Sequence, residues 1–383
     1  MAMIHYRIAG LGFILCCALF ITTYAQPDST RGSVSFAGYI EAYWGQALSR
    51  SSIKEENRPG YLVSYHRNKE LALNMALLQA SYSRRGIKAN LGFMSGTYAE
   101  MNLAHETPLS QHLFEANVSV ILSQKRDVWI EAGLFPSHIG FESAIGYDCW
   151  NLTRSILAEN SPYYEQGVRI KHQTHNQKWF LSLLLLNGWQ TMRRVPGGLG
   201  NDGLYPSFGH QLTWKPNARI TLNSSSFIGD ARRPIPVQSG PAIYVSESRL
   251  FHNFYGIIDF NQKMGLIAGL DCGLQNQDVS GRGKEFWFSP ILIGRYIINS
   301  KLKFALRAEY FQDRGESVIA NYNNLGKGLS CFGYSGNLDF EPFPGAIFRL
   351  EYRAFLYETP WYESNLSANF RYNIITGCMG VRF

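Results

Sequence analysis

Residues 302–310 read LKFALRAEY, and their polarity changes at nearly every position. Leu302, Phe304 and Leu306 alternate with Lys303 and Arg307 along this stretch. Successive side chains of an extended chain point to opposite sides, so a period of two gives a strand with one apolar and one polar face. A helix would instead need apolar residues at every third and fourth position. The stretch therefore predicts a β-strand that separates two different environments.

The same alternation recurs along most of the chain. Segments that share it lie at residues 34–44, 71–77, 87–93, 114–122, 128–134, 168–171, 348–354 and 375–383. Aromatic residues make up 14% of the 383 residues, and there are 36 glycines. Aromatic side chains favour strands, and glycine suits turns and close strand contacts. Mean hydropathy is only −0.16, and no run of about eighteen apolar residues, as a membrane-spanning helix needs, follows residue 25. An all-β protein is predicted.

The connections between these segments alternate between short polar links and long stretches rich in Gly, Ser, Asn and Pro. Short links lie near residues 84–86, 123–127, 174–177, 215–217, 261–263, 299–300 and 341–344. Long stretches lie near residues 45–69, 95–112, 136–162, 188–207, 229–248, 274–284, 314–328 and 357–369. A transmembrane barrel has short periplasmic turns and long extracellular loops. The alternation therefore predicts an antiparallel up-and-down β-barrel of about 16 strands that crosses a membrane.

Closure of the sheet has a physical reason. In hydrocarbon, each unpaired backbone N–H or C=O costs several kcal/mol, so a sheet can cross a membrane only when it has no free edge. The apolar face of each strand is then expected to meet lipid, and the polar face to line the interior. Trp44, Trp189 and Trp287 fall near the predicted outer strand ends, and Trp179 and Trp214 near the inner ends. These positions predict two aromatic girdles at the membrane interfaces. The alternative is that these tryptophans are ordinary core residues.

The amino terminus resembles an export signal. Residues 1–7 form a short basic region, and residues 8–21 form an apolar core too short to span a bilayer as a helix. A small residue, Ala25, then precedes Gln26, where cleavage is expected. We therefore assign residues 1–25 to a signal peptide and residues 26–383 to the barrel. An uncleaved N-terminal anchor is the alternative. A signal peptide together with a barrel predicts the outer membrane of a Gram-negative bacterium.

By strand parity, eight charged side chains point into the predicted barrel. They are Arg169, Lys171, Lys303, Arg307, Glu309, Arg349, Glu351 and Arg353. Basic groups outnumber acidic groups in this set, and a basic lumen raises the local concentration of anions. A weak anion preference of the pore is one prediction. The alternative is that the Arg and Glu residues pair across neighbouring strands and only keep the interior hydrated.

The stretch at 136–162 is the longest without clear strands. One interpretation is that it folds into the barrel and narrows it, and the other is that it is an ordinary external loop. In the inward arrangement, the residues that line the constriction are Glu142, Asp148, Arg154 and Glu159. Leu184 and Leu186 favour the inward arrangement, because alternation turns both toward the lumen. A loop inside the barrel would cover them.

Three motifs in and just after this loop carry a family resemblance. PSHIGFES spans residues 136–143, NLTRS spans 151–155 and NSPYYEQGV spans 160–168. These motifs resemble those of the OmpL-like β-barrel porins, a family of outer-membrane barrels. The resemblance implies an outer-membrane porin through which small hydrophilic solutes diffuse passively. It supplies no catalytic residue and no cofactor.

The residues themselves predict no catalytic, cofactor or metal site. No glycine-rich phosphate loop or G-x-S-x-G elbow is present, and the net charge of +7 contains no basic run typical of nucleic-acid binding. The expected partners are outer-membrane lipid and small hydrophilic solutes, and a homotrimer is expected by analogy with pores of this size. Two alternatives remain open: a barrel enzyme that hydrolyses lipid or peptide, and a structural or adhesive barrel that binds partners through its loops. Conductance in a planar bilayer distinguishes a porin from both.

Overall fold

The computed structural model describes residues 32–48, 56–193, 199–200, 206–235, 243–277, 283–319, 328–362 and 368–383. The predicted signal peptide, residues 1–25, lies outside these residues. In the described part of the chain, no helix has the length and apolar character needed to cross a membrane. The two α-helices found there are short: α1 spans Thr97–Asn102 and α2 spans Ile156–Glu159.

Sixteen long strands make up the sheet within these residues. They are β1 (Ser33–Ala47), β2 (Leu71–Arg84), β3 (Ile87–Ser95), β4 (Leu113–Ser123), β5 (Val128–Pro136), β6 (Tyr164–Gln173), β7 (Trp179–Leu186), β8 (Ser207–Asn217), β9 (Ile220–Ile235), β10 (Ile243–Asp259), β11 (Met264–Gln277), β12 (Gly283–Ile297), β13 (Leu302–Asp313), β14 (Leu329–Phe343), β15 (Ala346–Tyr362) and β16 (Ala368–Arg382). A two-residue strand, Leu199–Gly200, pairs in parallel with residues 245–246 of β10.

The sheet closes on itself. Each of the sixteen strands pairs antiparallel with its neighbours in the chain, and β1 also pairs antiparallel with β16, with Tyr39 opposite Arg382 and Ala47 opposite Ile374. Closure leaves neither edge unpaired, which a sheet in hydrocarbon requires. The predicted antiparallel barrel of about 16 strands is therefore confirmed.

Several strands extend into residues that we predicted to be loops. Residues 229–235 belong to β9 and residues 243–248 to β10, although both lie in the predicted loop 229–248. The strands β11, β12, β15 and β16 likewise enter the predicted loops 274–284 and 357–369. In these residues the sequence no longer alternates regularly between apolar and polar side chains. Backbone pairing between the strands nevertheless continues.

The outward face of the barrel is apolar and the inward face carries most of the polar residues. On β13 and β15, the outward Leu306 and Leu350 are 55% and 57% exposed. The intervening Arg307 and Glu351 are buried inside the barrel. The predicted separation of two environments therefore holds for these strands, and the same parity places the candidate site residues inside.

The predicted aromatic girdles are only partly correct. Trp179 and Trp214 stack with their ring centroids 5.4 Å apart, and both are exposed on the outer wall. Trp44 is also exposed. Trp287, however, lies inside the barrel in a cluster of buried apolar side chains, and Trp189 is partly buried against the same cluster. Trp287 is on the inward face of β12, so its position near a strand end did not determine its environment.

The C-terminal residue, Phe383, extends the pairing between the first and the last strand of the barrel. The Gly38 N–H donates to the Phe383 carbonyl at 2.8 Å, and the Phe383 N–H donates to the Gly38 carbonyl at 3.0 Å. A Cβ atom at position 38 would lie 2.3 Å from Cζ of the Phe383 ring. Only glycine therefore lets the terminal ring pack over β1.

We predict that Gly38→Val destabilises the closed barrel by about 1–3 kcal/mol, because the new side chain displaces the terminal ring. Heat-modified migration in detergent gels, which separates folded from unfolded barrels, measures the effect. The control is Gly294→Val on β12, where an added Cβ meets no atom within 4 Å. Equal stability of the two variants would contradict this account of strand closure.

Candidate functional site

The residues between β5 and β6 form a loop, residues 137–163, that packs inside the barrel. Its His138 carbonyl accepts a hydrogen bond from the Ser225 hydroxyl of β9 at 2.9 Å. Its Gly140 N–H donates to the Asn253 side chain of β10 at 3.3 Å. Other parts of the loop contact the inner faces of β13, β14 and β15. The inward arrangement of the sequence-predicted loop 136–162 is therefore the observed one, and we call residues 137–163 the inner loop.

Arg349 anchors the first half of the inner loop. Its guanidinium forms a bidentate ion pair with Asp339, at 2.7 and 2.9 Å. It also donates to the carbonyls of Gly146 at 2.9 Å and of Cys149 and Trp150 at 3.0 Å. One buried side chain on β15 thus holds three backbone carbonyls of the loop against the wall.

Arg307 and Glu351 hold the centre of the inner loop. Arg307 donates to the Thr153 carbonyl at 2.6 Å and to Glu351 at 2.9 Å. Glu351 in turn accepts the Thr153 N–H at 2.7 Å. A residue near the middle of the loop therefore has both of its backbone polar groups satisfied by a single ion pair on the barrel wall.

Arg353 and Glu309 hold the next turn. Arg353 donates to Glu309 at 2.6 Å and to the Arg154 carbonyl at 2.7 Å. Glu309 accepts the Ile156 N–H at 2.7 Å, at the start of α2. The inner loop is thus held against the barrel wall by a network of three arginines and three carboxylates on β13, β14 and β15.

This inner-wall network is electrically balanced and buried. Its members are Arg307, Glu309, Asp339, Arg349, Glu351 and Arg353, and all are at most 5% exposed. Loss of one member would leave an opposite charge without compensation in a medium of low dielectric constant, which costs about 3–5 kcal/mol. Five of the eight sequence-predicted inward residues belong to the network. They do face inward, and there they bind the loop.

The other three predicted residues are more accessible. Lys303 pairs with Glu341 near one end of the barrel and keeps 31% of its side chain exposed. Arg169 and Lys171 on β6 both bind Glu131 of β5, and their side chains are 16% and 24% exposed. Arg169 Nε lies 2.7 Å from Glu131 Oε1. Their role in selectivity stays a prediction.

A further cation, which sequence reasoning missed, lies beside this pair. Lys88 of β3 has its Nζ atom 4.4 Å from the centroid of the Trp129 ring, on the inward face of β5. Lys88 is exposed, whereas Glu131 is 3% exposed. We call Lys88, Arg169 and Lys171 the basic cluster. With Glu131, three cations stand against one carboxylate, in contrast to the balanced inner-wall network. Parity along residues 87–93 could have found Lys88.

The predicted constriction residues do not act as one group. Arg154 is fully buried and donates within its own loop, to the carbonyls of Ser143 at 2.6 Å and Ala144 at 2.9 Å. Glu142 accepts the Ser155 N–H at 3.1 Å, and burial raises the pKa of Glu142 although the nearby Arg307 acts in the opposite direction. Asp148 is instead 41% exposed and pairs with Arg382 at 2.7 Å. Asp148 therefore lies apart from the others.

The interior is not polar throughout. Leu184 and Leu186 pack with Ile139 of the inner loop and with Phe227 and Phe251, all nearly fully buried. Their predicted cover by the loop is therefore confirmed. A second cluster joins Leu157 and Ala158 of α2 to inward isoleucines, namely Ile267, Ile291 and Ile293. The expectation that the inner face is polar is therefore wrong on β11 and β12, where the loop supplies an apolar partner.

A second loop segment, residues 56–70, also enters the barrel, and sequence reasoning missed it. Tyr61, Leu62 and Tyr65 are at most 3% exposed. The Tyr65 hydroxyl donates to the Glu41 carboxylate of β1 at 3.0 Å, and Arg58 donates to Thr376 of β16 at 2.8 Å. The large apolar residues of this long loop were the available signal that it enters the barrel. Such side chains are usually buried and are therefore unexpected in an external loop.

Glu159 joins the two loops. Its carboxylate accepts the N–H groups of Val63 and Ser64 at 3.0 and 2.9 Å. Burial raises the pKa of Glu159 from 4.5 to about 7, against the opposing effects of Ser64, Arg353 and Arg154. The folded state therefore holds this proton more tightly than the unfolded chain. The corresponding stability is complete below pH 4.5 and is lost as the pH rises through 7.

We predict that stability falls by about 3 kcal/mol between pH 5 and pH 8 through Glu159 alone. The Glu159→Gln variant keeps an acceptor for both amides and loses this part of the pH dependence. Urea unfolding of the reconstituted barrel at the two pH values measures the difference. Glu70→Gln, with an exposed side chain, is the control. An unchanged pH dependence in Glu159→Gln would contradict the prediction.

A cavity of about 350 Å³ separates the inner loop from the wall formed by β2, β3 and β4. Gln79, Met94 and Phe114 line it from the wall, and Phe141 and Tyr163 line it from the loop. Its lining mixes aromatic and polar side chains. Among the described residues, no group of three or more His, Cys, Asp or Glu side chains is placed to hold a metal ion.

Solved structures with a similar fold include a porin, an outer membrane channel and another outer membrane protein. An anion-selective porin from Comamonas acidovorans is 10% identical, with a TM-score of 0.58 over 92% of this chain and 100% of that chain. The outer membrane channel DcaP of Acinetobacter baumannii is 11% identical, with a TM-score of 0.59 over 94% and 100%. OmpT of Vibrio cholerae in its trimer form is 7% identical, with a TM-score of 0.58 over 92% and 99%. At such identities the likeness concerns the fold. A comparison with curated proteins gives no match.

A family description matches nearly the whole barrel. The family "Putative beta-barrel porin-2, OmpL-like" matches residues 33–380, from the first residue of β1 to within three residues of the terminus. The match includes the first fifteen strands, all but the last two residues of β16, the inner loop and residues 56–70, so it agrees with the resemblance seen in residues 136–168. The chain therefore belongs to the OmpL-like family of outer-membrane β-barrel porins.

Proposed function

We propose that this protein is a passive channel for small hydrophilic solutes in the outer membrane. The observation that carries the proposal is the closed sixteen-strand barrel whose inner wall keeps accessible charged side chains beside the packed inner loop. Polar side chains inside the barrel let solutes keep their hydration, while the apolar side chains of the outer wall contact the lipid hydrocarbon. The family is described as porins, which supports the same function.

We propose further that the channel prefers anions weakly. The basic cluster on β3 and β6 has two more positive charges than its one carboxylate partner, Glu131, and all three of its cationic side chains are accessible inside the barrel. Excess positive charge on a lumen wall raises the local anion concentration. The similar porin from Comamonas acidovorans is described as anion-selective. In this chain the inner-wall network adds no net charge.

A homotrimer is the proposed assembly. OmpT of Vibrio cholerae, one of the similar folds, is described in a trimer form. The barrel of this chain is closed by its own strands, so assembly is not needed to complete the wall. Conduction is therefore proposed for each barrel separately.

Solute flux tests the proposed function. Purified barrels in liposomes are expected to make the vesicles swell in iso-osmotic solutions of small uncharged sugars, with a rate that falls as the sugar becomes larger. Vesicles prepared without protein are the control. Swelling no faster than in these vesicles would reject the channel, and hydrolysis of vesicle lipid would favour the barrel enzyme instead.

A further inference from the structure

Four hydrogen-bonding side chains lie on the outer wall of the barrel, which is otherwise apolar. They are His210 of β8, Ser224 and Ser226 of β9, and His252 of β10, and we call them the outer-wall patch. The residues two positions away from patch members on the same strands are apolar and largely exposed, as expected of a lipid-facing row: Phe208 54%, Ile228 54%, Leu250 52% and Phe254 49%. On β9 and β10 the intervening side chains Ser225, Phe227, Phe251 and Asn253 are at most 2% exposed and lie inside the barrel.

Strand register brings the patch together. Ser226 lies opposite His210 on one side and His252 on the other, and His252 lies opposite Cys272 of β11. The imidazole Nδ1 of His210 is hydrogen-bonded to the Ser226 hydroxyl. The Ser224 hydroxyl lies 3.4 Å from His210 Nε2 and 3.5 Å from His252 Nε2. Contacts of that length are at the limit of a hydrogen bond, so the patch keeps capacity for further partners.

The patch lies at the depth of the hydrocarbon. Trp214, part of the stacked tryptophan pair on the outer wall, is on the same strand as His210, four residues away. Four strand residues span about 13 Å, or about 10 Å of depth at the usual tilt. The apolar band of such a barrel is about 25 Å tall. Polar side chains at this depth are costly unless they face a partner that also forms hydrogen bonds.

We propose that the outer-wall patch is the contact surface for a second copy of this chain. Serine hydroxyls and neutral imidazoles both donate and accept, so the patch is complementary to itself. Copies in one membrane share their orientation, and a two-fold axis along the membrane normal therefore brings the patch onto itself. Lipid headgroups do not reach this depth. The apolar side chains that flank the patch supply the buried area around it.

This inference rests on the proposed function only for the placement of this wall in lipid. The two-fold contact is separate from the cyclic contacts of a trimer. In a trimeric assembly it joins barrels of adjacent trimers, and without a trimer it gives a dimer. Because the patch is on the outside, loss of the contact leaves the interior of each barrel unchanged.

Cysteine cross-linking in native outer membranes tests the proposal. Cys272 is half-buried and faces outward, whereas the other three cysteines of the described residues are buried. Oxidation with copper phenanthroline, or a flexible bis-maleimide in a parallel sample, is expected to link Cys272 to Cys272 of a second copy. The His210→Leu/His252→Leu double variant is expected to give at least about tenfold less cross-linked dimer. Leucine at these positions contacts lipid and needs no hydrogen-bonding partner. Native mass spectrometry in mild detergent reports the same change.

The matched control places the cysteine on another part of the wall. In a Cys272→Ser background, Leu306→Cys introduces a thiol at an outward position that is 55% exposed in the parent, and no dimer is expected. The proposal would be overturned by an equal yield of cross-linked dimer from Leu306→Cys or by an unchanged yield in the double variant. A Cys272 adduct with a different protein would also overturn it. Single-barrel conductance distinguishes failure of this proposal from failure of the proposed channel function, since the double variant should conduct as the parent does.

Discussion

Replacement of Arg349 by methionine is expected to release the inner loop from the barrel wall and to increase channel current. Arg349 binds Asp339 and three loop carbonyls. Without it, Asp339 stays buried with its main cationic partner lost, and five hydrogen bonds disappear together. Removal of one partner of a buried pair costs about 3–5 kcal/mol, which shifts loop docking by roughly two to four orders of magnitude. Planar-bilayer recording should show a larger mean conductance and more open-channel noise than in the parent.

Two comparisons make the Arg349→Met result specific. Lys303→Met removes an accessible partner of Glu341 near the barrel end, and its conductance is expected to stay close to that of the parent. The Arg349→Met/Asp339→Leu double variant removes both charges and should recover part of the docking, because no uncompensated carboxylate remains. Parent-like conductance and noise in Arg349→Met would contradict the proposed restraint of the loop.

Neutralisation of the basic cluster is expected to abolish or reverse the anion preference. The Arg169→Gln/Lys171→Gln variant leaves Lys88 and Glu131, so the local excess of two positive charges falls to zero. One charge at about 4 Å in water contributes about 1 kcal/mol. After salt screening, two charges change the ratio of anion to cation permeability by roughly tenfold. The reversal potential under a salt gradient measures this ratio directly.

The charge-conserving swap Arg169→Lys/Lys171→Arg is the control, and it should leave the reversal potential unchanged. Both variants alter the same two side chains, so a general disturbance of β6 would affect both. A reversal potential that is equal in the neutralised variant and the parent would place the selectivity elsewhere. A cation preference of the parent itself would reject the proposed role of the cluster.

The wall of the barrel was predictable because it follows from local pattern. A period of two determines which residues share a face, and that parity placed Arg307, Glu309 and Glu351 inside before any contact was known. Lipid on one side reinforces the alternation along each strand, since every exposed polar group in hydrocarbon is costly. In residues 229–235 the alternation stops although the strand continues.

The contents of the barrel were much harder to predict. The inner loop binds β13 and β15 across about 150–200 residues of sequence, as in the Ile156–Glu309 and Thr153–Glu351 contacts. No periodicity records such contacts, and the Leu184 and Leu186 positions were the only local indication. Trp287 shows the same limit, because an aromatic near a strand end suits a lipid interface and a buried loop contact equally well.

Single-channel recording of the purified parent protein tests the central claim most directly, namely that a closed barrel with a loop packed inside it still conducts. Discrete, stable current steps of uniform size are expected, with a reversal potential that indicates a modest preference for anions. Membranes that take up folded barrels and yet carry no current across a wide voltage range would contradict it.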